Sequence, residues 1–243
     1  MEHLSYPNES PDYRAARNEL LDAEIELRQR IEAVAAMRRA LPPGGVVKED
    51  YVFERTGPHG RPEPVRLSGL FEGHPTAILY SFMYGPERDV PCNGCTHLLD
   101  AIDGSARHAN QLLPFYIVTR SPLARMEAWG RTRGWRFFKF LSAAGNSYTN
   151  DYFGNTAGVT ETMRAERGYQ PDKNWDEPMF NVFRKDGDTV RHFWGSEMVY
   201  VPEEPGQNHR AADLVDPLWN LLDMTPEGRG EDWFPQVYYP GAR

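Results

Sequence analysis

A chain of 243 residues, 40% hydrophobic and 26% charged, is long enough to bury one sizeable core without disulfide staples. Its formal charge of -8 argues against a nucleic-acid or anionic-membrane partner, and no apolar run reaches the ~18 residues of a membrane span. The opening residues lack the basic-then-apolar order of a secretory signal. The expectation is a cytoplasmic protein whose two cysteines stay reduced.

In chain order, Ser10-Pro11 reads as a helix start, with serine as cap and proline at the first helical position. The helix that follows carries Leu20, Leu27, Val34 and Leu41 at intervals of seven, with Ile31 interleaved. That stripe either packs along the body or pairs two copies as a homodimer. "PPGG" at 42–45 ends it, dividing a helical arm (1–45) from a main domain (46–243). "VVKEDYVFER" and "VRLSGLF" read as strands around a turn-rich segment. "AILYSFMY" is a near-continuous apolar run, as a central strand buried on both faces requires. A helix from Cys92, the strand "PFYIVTR", a helix after Ser121-Pro122 and the strand "WRFFKFLSA" follow. Alternating strands and helices imply a parallel unit with right-handed crossovers. Residues 145–177 read as an irregular insertion with a short helix near "TETMRAER". "MFNVF" and "TVRHFW" form a hairpin about Lys185-Asp186-Gly187-Asp188. "AADLVDPLWNLLDM" reads as a last amphipathic helix, and a Gly/Pro-rich tail closes the chain.

Both cysteines, Cys92 and Cys95, lie in "DVPCNGCTHLLDAIDG", where a buried strand ends and a helix begins. Backbone N–H groups and the helix dipole stabilise an anion there, so Cys92 should be the low-pKa nucleophile. Cys95, one turn later, can resolve a mixed disulfide on Cys92. A C-x-x-C beside a strand–helix–strand pattern reads as a thioredoxin-like redox motif. Two buried helix-face cysteines are the plain alternative. Zinc held with His97 and His108 is another, weakened by the lack of a second clustered pair. Haem attachment fails because Thr96, not histidine, follows Cys95. Arg88 is the nearest cation in sequence and is expected to be solvated. Pro178 directly precedes the strand "MFNVF"; in thioredoxin-like folds a cis-proline there faces the cysteines, and its neighbour offers a backbone ladder to substrate. Cis and trans both remain open at this stage.

These stretches, with "LSGLFEGHPTAILYSFMYGP", "CNGCTHLLDAIDG", "YIVTRSPLARMEAWGRTRGWRF", "SYTNDYFG" and "LDMTPEGRGED", resemble the thioredoxin-like family called domain of unknown function eight-nine-nine, a group of predicted dithiol–disulfide oxidoreductases. The resemblance spans residues 14–234. It implies an α/β, thioredoxin-like fold with a central mixed sheet flanked by helices, a long N-terminal helix and a C-terminal extension. Members commonly carry proline after the first cysteine, where Asn93 stands here, so the redox direction is left open. Peroxiredoxins, a related group, place Thr or Ser three residues before the attacking cysteine. Here that residue is Asp89, which favours thiol–disulfide exchange over peroxide reduction.

Tyr148, Asn150, Asp151 and Tyr152 are candidates for a pocket near the cysteines, or for a self-tied loop. Trp194 is either a shield for the site or a core residue. Glu203-Glu204 and Glu231-Asp232 read as solvated. No phosphate loop is present, and no cofactor or metal is expected. The leading expectation is a thiol–disulfide oxidoreductase with Cys92 attacking, Cys95 resolving and Pro178 shaping the substrate face. Its substrate would be a disulfide-containing protein or a small thiol. The rival is a non-catalytic binding protein on a thioredoxin scaffold, with vestigial or structural cysteines.

Overall fold

The computed structural model describes residues 4–230 and 232–241. It divides into one compact unit that ends at Gly44 and a second that begins at Gly45. The first unit is α1 (Pro11–Arg39). The Ser10 side chain caps it by accepting the Tyr13 N–H at 3.1 Å, and Arg38 and Arg39 occupy the last turn, where the helix dipole favours cations. Leu20, Leu27 and Ile31 of the expected stripe are exposed.

The second unit is built on a seven-stranded mixed sheet. Its strands are β1 (Val52–Thr56), β2 (Pro62–Arg66), β3 (Thr76–Ser81), β4 (Phe115–Thr119), β5 (Lys139–Ser142), β6 (Met179–Asp186) and β7 (Thr189–Gly195), in the order β2-β1-β5-β4-β3-β6-β7. The crossovers β3–α2–β4–α3–β5, with α2 at Asn93–Ala109 and α3 at Leu123–Arg133, make β3, β4 and β5 parallel. β6 and β7 return antiparallel beside β3.

Alternation along the central strands fills both faces. Leu79, Tyr116 and Val118 join one core with Phe53, Leu70 and Phe183. Tyr80, Phe115 and Ile117 join the other with Cys95, Leu99, Met126 and Trp129. This two-sided burial is why β3 reads as an unbroken apolar run. α2 lies in the second core through Leu98 and Leu99.

Several sequence boundaries shift. β2 takes in Pro62 and Pro64, while Leu67–Gly69 turns into a 3-10 helix. Prolines two apart are tolerated because β2 is an edge strand, with one side of its backbone unpaired. The hairpin turn is Gly187-Asp188, one residue on from the expected centre, with Gly187 at φ 56°. The last helix, α6, covers only Pro217–Asp223, because Pro217 cannot continue a helix from "AADLV" and instead starts one capped by Asp216. The insertion adds α4 (Tyr148–Asp151) to α5 (Glu161–Glu166).

Candidate active site

Cys92 is the N-cap residue of α2, immediately after the loop that leaves β3. That loop is pinned at several points. The Tyr84 carbonyl accepts from Thr119 Oγ1 at 2.6 Å, and the Gly85 N–H donates to Asp176 Oδ2 at 2.7 Å. The Cys92 N–H donates to the Met83 carbonyl at 3.1 Å. Asp176 is buried and is balanced by Arg120 at 2.7 Å and Arg88 at 3.3 Å. Arg88 is therefore paired, not simply solvated as expected, and its charge also reaches Cys92.

The two thiols are pushed apart in pKa. The Cys95 S–H donates to the Cys92 sulfur, and this is the largest of the effects that pull Cys92 down to about 6. Burial opposes it; the N–H groups of Cys95 and Gly94 and the positive charge of Arg88 reinforce it. Cys95 moves the other way, because holding that hydrogen bond and lying buried both favour its protonated form. The Tyr80 hydroxyl, on β3, donates to the Cys95 sulfur, and the Met83 N–H also faces it. The result is a chain, Tyr80 to Cys95 to Cys92, running from the core to the surface.

Cys92 and Cys95 open on a cavity of about 350 Å³, the wall of which also includes Tyr80, Pro178, Trp219 and Phe234. Pro178, just before β6, is part of that wall. Its peptide bond is trans, since no cis bond occurs among the described residues. The preceding Glu177 N–H is already used, donating to the Gly154 carbonyl at 3.0 Å, so the expected backbone ladder to substrate lacks that donor.

Across the cavity His97 Nε2 lies 2.8 Å from Asp216 Oδ2, the carboxylate that also caps α6 through Leu218 N–H. Sequence reading weighed His97 only as a zinc ligand beside His108 or a surface residue, and passed over Asp216. The signal available was Asp216-Pro217, a helix start inside the apparently continuous last helix. The residues 208–234, read as loop, helix and tail, supply half of the cavity wall.

The other candidates fall elsewhere. Tyr148 and Tyr152 pack with Tyr51, Phe53 and Phe183 in the opposite core, and Asp151 is held by Lys48, Tyr51 and Ser147. That loop is tied to itself and to β1, away from the cysteines. Trp194 sits on β7 opposite Val182 and is not part of the cavity wall. Glu203 pairs with His209; Glu231 lies outside the described residues. His97 is engaged by Asp216 and His108 sits in the last turn of α2. Among the described residues no three His, Cys, Asp or Glu side chains gather as metal ligands, and no helix is long and apolar enough to cross a membrane.

A parallel β–α–β unit with an antiparallel hairpin beside its first strand, and a cysteine pair starting the helix after that strand, defines a thioredoxin-like α/β protein. More specifically, the chain belongs to the family described as "Bacterial protein of unknown function (DUF899)", whose model matches residues 4–240. No curated protein matches it. Among solved structures it is similar to a peroxiredoxin at 9% identity, over 59% of this chain and 78% of that one, with a TM-score of 0.41. It is also similar to reduced Prx3 of Vibrio vulnificus in complex with hydrogen peroxide, at 12% identity over 69% and 91%, TM-score 0.41. The mitochondrial 2-Cys peroxiredoxin of Plasmodium falciparum matches at 13% identity over 78% and 100%, TM-score 0.36. Overlaps this low say nothing of chemistry.

Proposed function

We propose that the protein is a thiol–disulfide oxidoreductase. The observation that carries this reading is the division of labour between the thiols: a helix-start Cys92 held as thiolate by a buried, protonated Cys95, both facing one cavity. At pH 7 a pKa near 6 makes Cys92 about 90% thiolate, against about 3% for a thiol at ~8.5.

The Cys92 thiolate attacks one sulfur of a substrate disulfide, breaking its S–S bond. One substrate half leaves as a thiolate and takes a proton; the other stays bound to Cys92 in a mixed disulfide. His97, held by Asp216 at the cavity wall, is the residue assigned to supply that proton. Once Cys92 is neutral, the hydrogen bond that kept Cys95 protonated is gone. Cys95 then attacks the Cys92 sulfur, its ionisation favoured by the Tyr80 hydroxyl; the Cys92–Cys95 bond forms as the bond to the second substrate half breaks, and that half takes the Cys95 proton and leaves as a thiol. Two electrons have moved from the protein dithiol to the substrate, and a dithiol reductant must return them. Stabilising the Cys92 thiolate stabilises the reduced form, so the pair is biased toward the oxidising side.

The test follows the mixed disulfide. With a model disulfide, Cys95→Ala should arrest as a Cys92 adduct visible by mass spectrometry, and Cys92→Ser should neither form the adduct nor turn over. A Cys92→Ser protein with full exchange activity would end this reading.

A further inference from the structure

Resting on the exchange reading, we propose that the cavity selects a small disulfide with a flat, apolar body over a disulfide presented by a folded protein.

The first ground is the wall. Trp219, Trp233 and Phe234 pack on one another and line the same cavity as Cys92, and Trp233 and Phe234 remain about half exposed. The cavity, about 350 Å³, sits at the small end of the ~300–1,000 Å³ range of small-molecule sites. That is room for a ring-sized group.

The second ground is that the wall is fastened. Asp216 both caps α6 and holds His97 of α2. Arg229 is buried between Asp213 and Asp223, at 2.6 Å from each, with its guanidinium over the Trp219 ring. Further along, Gln236 accepts from Asn93, inside the C-x-x-C itself, at 3.2 Å, and the Val237 carbonyl accepts from Arg133 at 2.7 Å. Phe234 rests on Gly94: a Cβ there would lie 3.1 Å from its ring. Glycine between the cysteines is what lets this ring approach.

The third ground is the backbone. A polypeptide substrate would add a strand through free main-chain donors beside the nucleophile. Here the Glu177 N–H is taken by Gly154 and the Cys92 N–H by Met83. Recognition is left to apolar contact with the rings and to the polar His97 end.

The experiment measures rates of oxidation of the reduced full-length protein by 4,4′-dithiodipyridine, by cystine and by insulin. Each rate is divided by that of dithiothreitol with the same disulfide, which removes intrinsic reactivity. The expected result is a normalised rate for dithiodipyridine at least tenfold above those for cystine and insulin. A Trp233→Ala/Phe234→Ala variant should lose most of that preference while its Cys92 alkylation midpoint stays near 6. Equal or faster normalised oxidation by insulin in the wild type overturns the proposal and leaves exchange chemistry standing. So does an unchanged preference in the folded double variant. If Cys92 reacts with none of the three, the exchange reading falls as well. The wild-type comparison decides the matter alone should the variant not fold.

Discussion

Removing the Cys95 sulfur should disarm Cys92 without touching it. The Cys95 S–H is the largest contributor to the low Cys92 pKa, ahead of the helix-end N–H groups and Arg88. A hydrogen bond to a charged group is worth about 1.5–3 kcal/mol; at 1.36 kcal/mol per unit, its loss raises a pKa by about 1–2 units. Cys95→Ala should therefore move Cys92 from about 6 to about 7–8. Cys95→Ser keeps a hydroxyl donor in the same place and should fall between the two. The assay is iodoacetamide alkylation of the reduced protein across pH 4–10, read as the midpoint of the rate curve. The rate at a single pH would mislead, because a more basic thiolate is also a better nucleophile, by about threefold per unit. In the wild type the curve reports Cys92, since Cys95 is buried and titrates far higher. A Cys95→Ala midpoint still near 6 would refute the reasoning. It would assign the thiolate to the helix end and Arg88.

The same thiolate should appear in the redox potential. Below the Cys92 pKa reduction takes up two protons with two electrons and the potential falls by about 59 mV per pH unit; above it only one proton is taken up and the slope halves to about 30 mV. A plot from redox-buffer titrations should bend near pH 6, and a straight line from pH 5 to 8 would contradict the split thiols. Tyr80→Phe removes the donor that favours ionised Cys95 while leaving the ring against Phe180, so the mixed disulfide should persist several-fold longer with the Cys92 midpoint unmoved. Equal adduct lifetimes would strip Tyr80 of that part. Asp216→Ala removes the α6 cap and the His97 partner together; cap loss alone costs about 0.5–2 kcal/mol. Denaturant unfolding should show a loss of that size or more, and tryptophan fluorescence should report the release of Trp219. No change in either would mean that Asp216 does not fasten the wall.

The scaffold and the placement of the cysteine pair at a helix start are legible from local pattern. Continuous apolar runs in "AILYSF" and "FYIVT" require strands covered on both faces, and the helices between them require parallel crossovers. A cysteine at the junction of strand and helix can be read locally as a low-pKa thiol, because the Cys95 S–H and the Gly94 and Cys95 N–H groups that lower it all lie within its next three residues. Pro178 was legible for a similar reason, as the residue that opens the strand beside β3. The raised pKa of Cys95 was legible only in part: its hydrogen bond to Cys92 is local, but its burial and the Tyr80 hydroxyl come from the core and from β3.

What surrounds the cysteines was decided by the tertiary structure alone. The 208–234 segment is broken by Pro217 and Pro226, and its periodicity announces a helix, not a site. Its place beside the cysteines, and that of the chain just after it, depends on pairs more than a hundred residues apart: His97 with Asp216, Gly94 with Phe234, Asn93 with Gln236. Each residue is ordinary in its own neighbourhood. The "SYTNDYFGN" loop shows the converse, a stretch that looks functional by composition and turns out to tie itself to β1. Local patterns fix strands, helices and caps because the interactions that form them are local. The wall beside Cys92 is built by the chain that returns to it, a long-range contact that only the closed fold brings about.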